Sequence, residues 1–224
     1  MKIFIETIIV IVLGIMSMFY LTLEIWKGKH PFNEKLQKLW RKRKKILIYC
    51  FLSILSGIGL TILFHYIYHY NTLIMNIRLL TLMMLLFPIA WVDYQKHIIP
   101  NKLILFGMIL RIPYMLIEMT LYTESFVPMV KDIFYAIIFV LIMFIICAVV
   151  IKTGIGMGDI KLLAMIGLYQ GFSGMFSSLF MSLTIAFIIA IVLLISRRKK
   201  KQDMMPFAPA LLLGTLISIA ITGV

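Results

Sequence analysis

Ile133-Phe134-Tyr135-Ala136-Ile137-Ile138-Phe139-Val140-Leu141-Ile142-Met143-Phe144-Ile145-Ile146-Cys147-Ala148-Val149-Val150-Ile151-Lys152-Thr153-Gly154-Ile155-Gly156-Met157-Gly158-Asp159-Ile160-Lys161-Leu162-Leu163-Ala164 is the stretch from which the architecture can be read. No charged residue falls between Ile133 and Ile151, and a hydrocarbon core of about 30 Å needs roughly 20 such residues in a helix. Lys152 follows, then three glycines at alternating positions, then Asp159 and a second apolar run. Each glycine costs about 1 kcal/mol relative to alanine inside a helix. The segment therefore favours an unwound backbone that a neighbouring helix or an extended peptide can approach closely. At membrane depth such backbone is tolerated only where it lines a cavity or packs against protein. The expectation is an all-α, polytopic membrane bundle in which one helix is entered through an irregular segment carrying a carboxylate.

The remainder of the chain extends this pattern. Of 224 residues, 62% are apolar and only 14% charged, and the mean hydropathy is +1.05, so the apolar excess must face lipid. Eight transmembrane helices are expected, over residues 3–25, 47–66, 74–92, 100–119, 132–151, 160–173, 175–196 and 207–223, with a break at Gly171-Phe172-Ser173-Gly174. If the basic segment 27–45 is cytoplasmic, alternation puts Asp93 to Lys102, Lys152 to Lys161 and Arg197 to Asp203 on the same side, and the opposite loops hold little positive charge, as the positive-inside rule requires. Both termini then lie outside. No linker or internal repeat divides the sequence, which is read as one membrane domain, 1–224, with N-terminal spans over 3–92 and a motif-bearing region over 93–224.

A formal net charge of +13 suggests a nucleic-acid partner, but the charges sit in short tracts between apolar runs, such as Lys42-Arg43-Lys44-Lys45 and Arg197-Arg198-Lys199-Lys200-Lys201. They are topogenic signals facing anionic lipid, and no nucleic acid is expected. Cys50 and Cys147, far apart in apolar runs, indicate neither a disulfide framework nor a metal site. The run after Lys2 continues to about Ile25 without a small-residue cleavage site, so it is expected to stay as a first span.

Ionisable groups in or beside spans are costly and point to function. Nine carboxylates occur; Glu6, Glu24, Glu118 and Asp132 fall near span ends, Glu34, Glu124 and Asp203 in loops. Asp93 and Asp159 fall at the cytoplasmic ends of apolar runs, in distinctive surroundings. Asp93 ends the third span ahead of Ile99-Pro100-Asn101, where Pro100 is placed to open a helix that does not need its missing N–H. Both aspartates lie at one membrane face in this topology. Brought together, two carboxylates cannot both ionise cheaply and hold a single proton between them, which lets the pair act as acid and base. One would take a proton from water attacking a scissile carbonyl while the other donates to the oxyanion. His30, His65, His69 and His97 are scattered, and no zinc spacing or serine elbow competes.

These residues resemble the prepilin peptidases, the type IV leader peptidases of the bacterial inner membrane. The likeness rests on Asp93 with Ile99-Pro100-Asn101, on Gly156-Met157-Gly158-Asp159-Ile160-Lys161-Leu162-Leu163-Ala164, and on Pro206-Phe207-Ala208-Pro209-Ala210-Leu211. It implies a GxGD-type aspartic peptidase with Asp93 and Asp159 catalytic and Gly156, Gly158, Lys161, Pro100 and Asn101 shaping the site. It also implies prepilin or pseudopilin substrates, cut at the cytoplasmic border of their hydrophobic helix, and no metal or cofactor. Larger members carry a longer cytoplasmic segment, often with two Cys-x-x-Cys pairs, associated with N-methylation. The corresponding loop here is short and has no cysteine, so the resemblance is to the peptidase alone.

Presenilin-like and signal-peptide-peptidase-like enzymes share Gly-x-Gly-Asp and an echo of Pro209-Ala210-Leu211, but not the pattern running on through Lys161-Leu162-Leu163. A small proton-coupled transporter using the same aspartates would be expected to show paired broken helices in repeated halves, and only one glycine-broken segment is present. Lys96, His97 and Lys161 read first as topogenic charges. Arg111, beside Pro113 within the fourth span, is expensive there unless it snorkels or meets a polar partner.

Overall fold

The structure, a computed structural model, describes residues 2–26, 32–150, 156–195 and 206–224. Among them are seven helices and no strand: α1 (Lys2–Trp26), α2 (Phe32–Tyr66), α3 (Leu73–Lys96), α4 (Asn101–Leu121), α5 (Thr123–Val150), α6 (Met157–Ile195) and α7 (Ala208–Thr222). The first six are long and apolar enough to cross a bilayer, and α7 is a shorter apolar helix. The protein is an all-helical, multi-pass membrane protein. Its large apolar side chains are correspondingly exposed, Phe4, Phe19 and Phe187 each by more than 60%, as lipid-facing groups are.

The spans expected over 160–173 and 175–196 are two helical stretches that meet at a kink and together make up α6, 39 residues in all. At 1.5 Å per residue it would run about 58 Å straight, nearly twice a bilayer core. It is not straight. Gly171, with φ 73° and ψ −170°, is non-helical inside it and marks a kink within the expected break. The basic segment 27–45 is helical from Phe32 onward, continuous with the second span as α2; residues 27–31, Lys152 to Ile155 and the tract from Arg197 to Asp203 lie outside the described residues.

The chain forms two compact units, Met1–Pro88 and Ile89–Val224. In the first, α1 packs antiparallel on α2 through glycines. A Cβ on Gly57 would meet Val10 Cγ1 at 2.6 Å and one on Gly14 would meet Ile54 Cγ1 at 2.7 Å, the close approach that small residues allow between membrane helices. Glu6, expected near an interface, is instead 1% exposed and accepts a hydrogen bond of 2.8 Å from Asn76 Nδ2 of α3. In the second unit α6 packs against α7, α5 and α4. Gly214 of α7 lies directly against Ser182 of α6, and Ser178, Ser182, Thr215 and Ser218 are fully buried in this unit.

The kink is sustained by charge. Arg111 of α4, 1% exposed, donates from Nε to the carbonyl of Leu168 at 2.8 Å and from its guanidinium to Glu118 Oε2 at 2.7 Å. Arg111 is ten residues into α4 and Leu168 eleven into α6, so both stand about 15 Å from their helix starts. Leu168 is three residues ahead of Gly171, where the break interrupts the ladder and leaves carbonyls wanting donors. Asp132 of α5 lies against Gly171 itself. Glu118 is thus a buried partner and not an interfacial group. Sequence spacing contained the signal, since seven residues is two helical turns and puts both side chains on one face.

Candidate active site

In the second unit, the C-terminal end of α3 and the N-terminal ends of α4, α6 and α7 supply the site. α3 continues one turn beyond the span end expected at residue 92. It closes with a 2.8 Å hydrogen bond from the His97 amide to the Asp93 carbonyl, and His97 stands in the left-handed region, φ 53°. Histidine is among the few non-glycine residues that adopt this conformation readily, and here it turns the chain sharply into Ile98-Ile99-Pro100. Pro100 is the N-cap of α4, φ −74° and ψ 103°, and its carbonyl accepts from the Leu103 amide at 3.0 Å.

Asp93 is 5% exposed, and its Oδ2 accepts a 3.0 Å hydrogen bond from the backbone N–H of Ala208, the first residue of α7. This is a helix cap delivered from 115 positions away in the chain. The N-cap residue proper, Phe207, has no side chain able to do it. The carboxylate also lies at the positive end of the α7 dipole.

Asp159 stands in the first turn of α6, its amide bonded to the Gly156 carbonyl at 2.9 Å. Its Oδ1 is shielded from solvent and has no hydrogen-bond partner among the described residues. A buried carboxylate oxygen without a donor is costly and marks a place kept for something else. The Asp93 and Asp159 carboxylates interact electrostatically, so the fold does bring the two aspartates into one another's range.

The other residues singled out from the sequence fall around this pair. A Cβ on Gly156 would sit 3.0 Å from Asp159 Oδ2, and one on Gly158 would sit 3.0 Å from Cβ of Ile99. Gly156 therefore keeps space open for the carboxylate, and Gly158 lets the start of α6 close on the turn that follows Asp93. Gly158 has no positive φ; it is a glycine for want of room. Lys161 Nζ approaches Asn101 Oδ1 at 3.4 Å, a second link between α6 and the start of α4. Gly154 lies outside the described residues. Sequence reasoning did not single out Ala208: a backbone amide leaves no residue-type signal, although the two prolines around it, Pro206 and Pro209, mark a helix start.

Against known families, a sequence profile of the type IV leader peptidase family matches residues 80–195. The chain belongs to the type IV leader peptidase family. It is accordingly a membrane aspartic protease of the type IV leader peptidase kind, a peptide-bond hydrolase. The matched segment of this leader peptidase contains Asp93, the turn to Asn101, and the glycine-aspartate stretch through Lys161. It ends before α7, so the amide that holds Asp93 comes from beyond it. Neither a curated protein nor a solved structure matches the chain significantly.

Proposed function

We propose that Asp93 and Asp159 are the catalytic pair of an endopeptidase that removes the N-terminal leader from prepilin or pseudopilin proteins at the cytoplasmic face of the bacterial inner membrane. One observation carries the reading. Two carboxylates from distant helix ends stand within electrostatic range of one another, Asp93 tied at Oδ2 to an α7 amide and Asp159 with a shielded oxygen that has no partner among the described residues. That asymmetry suits a pair holding a single proton.

The ionised member takes a proton from a water molecule, whose oxygen bonds to the scissile carbonyl carbon. The protonated member donates to the developing oxyanion. Collapse of the tetrahedral intermediate breaks the C–N bond, and the leaving amine carries away a proton. Gly156 and Gly158 keep side chains out of the approach, while Pro100, Asn101 and Lys161 fix the facing turn. The test is to incubate the purified protein in liposomes with a full-length prepilin and identify products by mass spectrometry. A single cut between the basic leader and the hydrophobic helix is expected; an intact substrate, or scattered cuts within the helix, would contradict it.

A further inference from the structure

Resting on that reading, we propose that Ala208, through its backbone N–H, is the positioning residue that fixes the Asp93 carboxylate, so that α7 is part of the catalytic apparatus although it contributes no catalytic side chain. Three observations on different parts of the chain converge on this.

The first is the hydrogen bond itself, 3.0 Å long, between two buried residues, Ala208 at 1% and Asp93 at 5% exposure. Water does not compete effectively there, so the bond constrains the side chain more than a surface contact would. The second is the local sequence. Helix starts leave their first amides without intrahelical acceptors, and in α7 these belong to Ala208, Pro209 and Ala210. Pro209 has no N–H to offer, so the neighbouring position cannot replace the Ala208 amide at Asp93. The bond is made to Oδ2, so this amide leaves the other carboxylate oxygen unengaged. The third is rigidity. α7 is anchored on α6 by the direct contact of Gly214 with Ser182 and, at its far end, by Gln170 Nε2 donating to the Val224 carbonyl at 2.8 Å. The same α6 carries Asp159 in its first turn. One pair of packed helices thus sets the position of both carboxylates, Asp159 as a side chain of α6 and Asp93 through the amide of α7.

A proline at position 208 suits the first turn of a helix, although it disfavours the αR conformation of Phe207; it deletes the N–H and puts Cδ where the hydrogen was, expelling the Asp93 carboxylate. With a prepilin substrate, Ala208→Pro should lower kcat by roughly 10²-fold, the scale of an ångström-sized misplacement of a catalytic group, with KM within about threefold. Ala208→Gly, which keeps the N–H, should recover most of the loss. Equal loss of kcat in both variants, or a change confined to KM, overturns the proposal. A second measurement needs neither activity nor the proline variant. Hydrogen–deuterium exchange of the peptide covering Phe207 to Leu211 should rise at least roughly fivefold in Asp93→Ala, where the capping partner is gone, and stay unchanged in Asp159→Ala. Unchanged exchange in Asp93→Ala, or equal increases in both, sinks the positioning role. Retained cleavage in Asp159→Ala sinks the catalytic assignment instead, so the two failures are told apart.

Discussion

Replacing Gly156 by alanine should separate activity from stability, because among the described residues the added Cβ meets only the Asp159 carboxylate. The added Cβ would lie 3.0 Å from Asp159 Oδ2, and the next nearest atom, Cγ of the same carboxylate, is 3.9 Å away. The nearest atom belongs to a side chain that can move, so alanine can be accommodated there. Removing glycine's freedom from the unfolded chain should then stabilise the protein by about 0.4–1 kcal/mol. The carboxylate, in turn, must retreat by a few tenths of an ångström to restore ordinary contact. If a displacement of 1 Å costs about 10²-fold in rate, this smaller one should lower kcat by roughly 3- to 10-fold, and Gly156→Val by more. The assay pairs thermal unfolding in detergent with prepilin cleavage followed by gel shift. Gly158→Ala is the contrast, since its Cβ meets Ile99 carbons at 3.0, 3.3 and 3.4 Å and overpacking of this kind costs about 1–3 kcal/mol. If Gly156→Ala unfolds earlier than wild type, or keeps full cleavage while Gly158→Ala melts no earlier, the assignment of the two glycines is wrong.

Three further outcomes follow from the same geometry. Gly171→Ala combines a left-handed φ of 73° with a direct clash on the Asp132 carboxylate; it should cost at least about 1–3 kcal/mol, measured as a lower melting temperature. Arg111→Ala removes the guanidinium from Glu118 and from the Leu168 carbonyl, and loss of one partner of a buried pair costs about 3–5 kcal/mol. Arg111→Met combined with Glu118→Leu should recover part of that in a double-mutant cycle, and strict additivity would argue against the pair. Glu6→Ala leaves Asn76 without its acceptor and should cost about 1–3 kcal/mol, read by melting of detergent-solubilised protein; no change would mean that the contact contributes nothing.

What could be read from the sequence follows from which forces act locally. Apolar run length is imposed by the bilayer, so most of the helices coincide with expected spans to within a few residues. α5 is the exception at its N-terminal end, beginning at Thr123 where residue 132 was expected, because Glu124, Lys131 and Asp132 interrupt the hydropathy without interrupting the helix. α2 likewise extends thirteen residues ahead of Lys45, since Lys and Arg are good helix formers, which fits a basic segment that is partly helical though not a span. The kink at Gly171 was visible as a glycine pair; the charges that hold it were not paired with it, as Arg111 and Glu118 meet Leu168 only after α4 packs on α6. The same limit applies to the site. Asp93 and Asp159 stood out as carboxylates in apolar surroundings, and the glycines stood out as helix breakers. That Ala208 caps Asp93, that Gly158 admits Ile99, and that Asp159 keeps one oxygen without a partner among the described residues are products of tertiary packing, without a residue-type signature.

The most direct measurement is prepilin cleavage by the series Asp93→Asn, Asp159→Asn and the double variant, each checked for wild-type-like unfolding. Two carboxylates working on one proton form a unit, so each single change should abolish leader release and the double should be no worse than either. A single variant that still processes its substrate, or losses that multiply in the double, would show that these aspartates do not act as a catalytic pair.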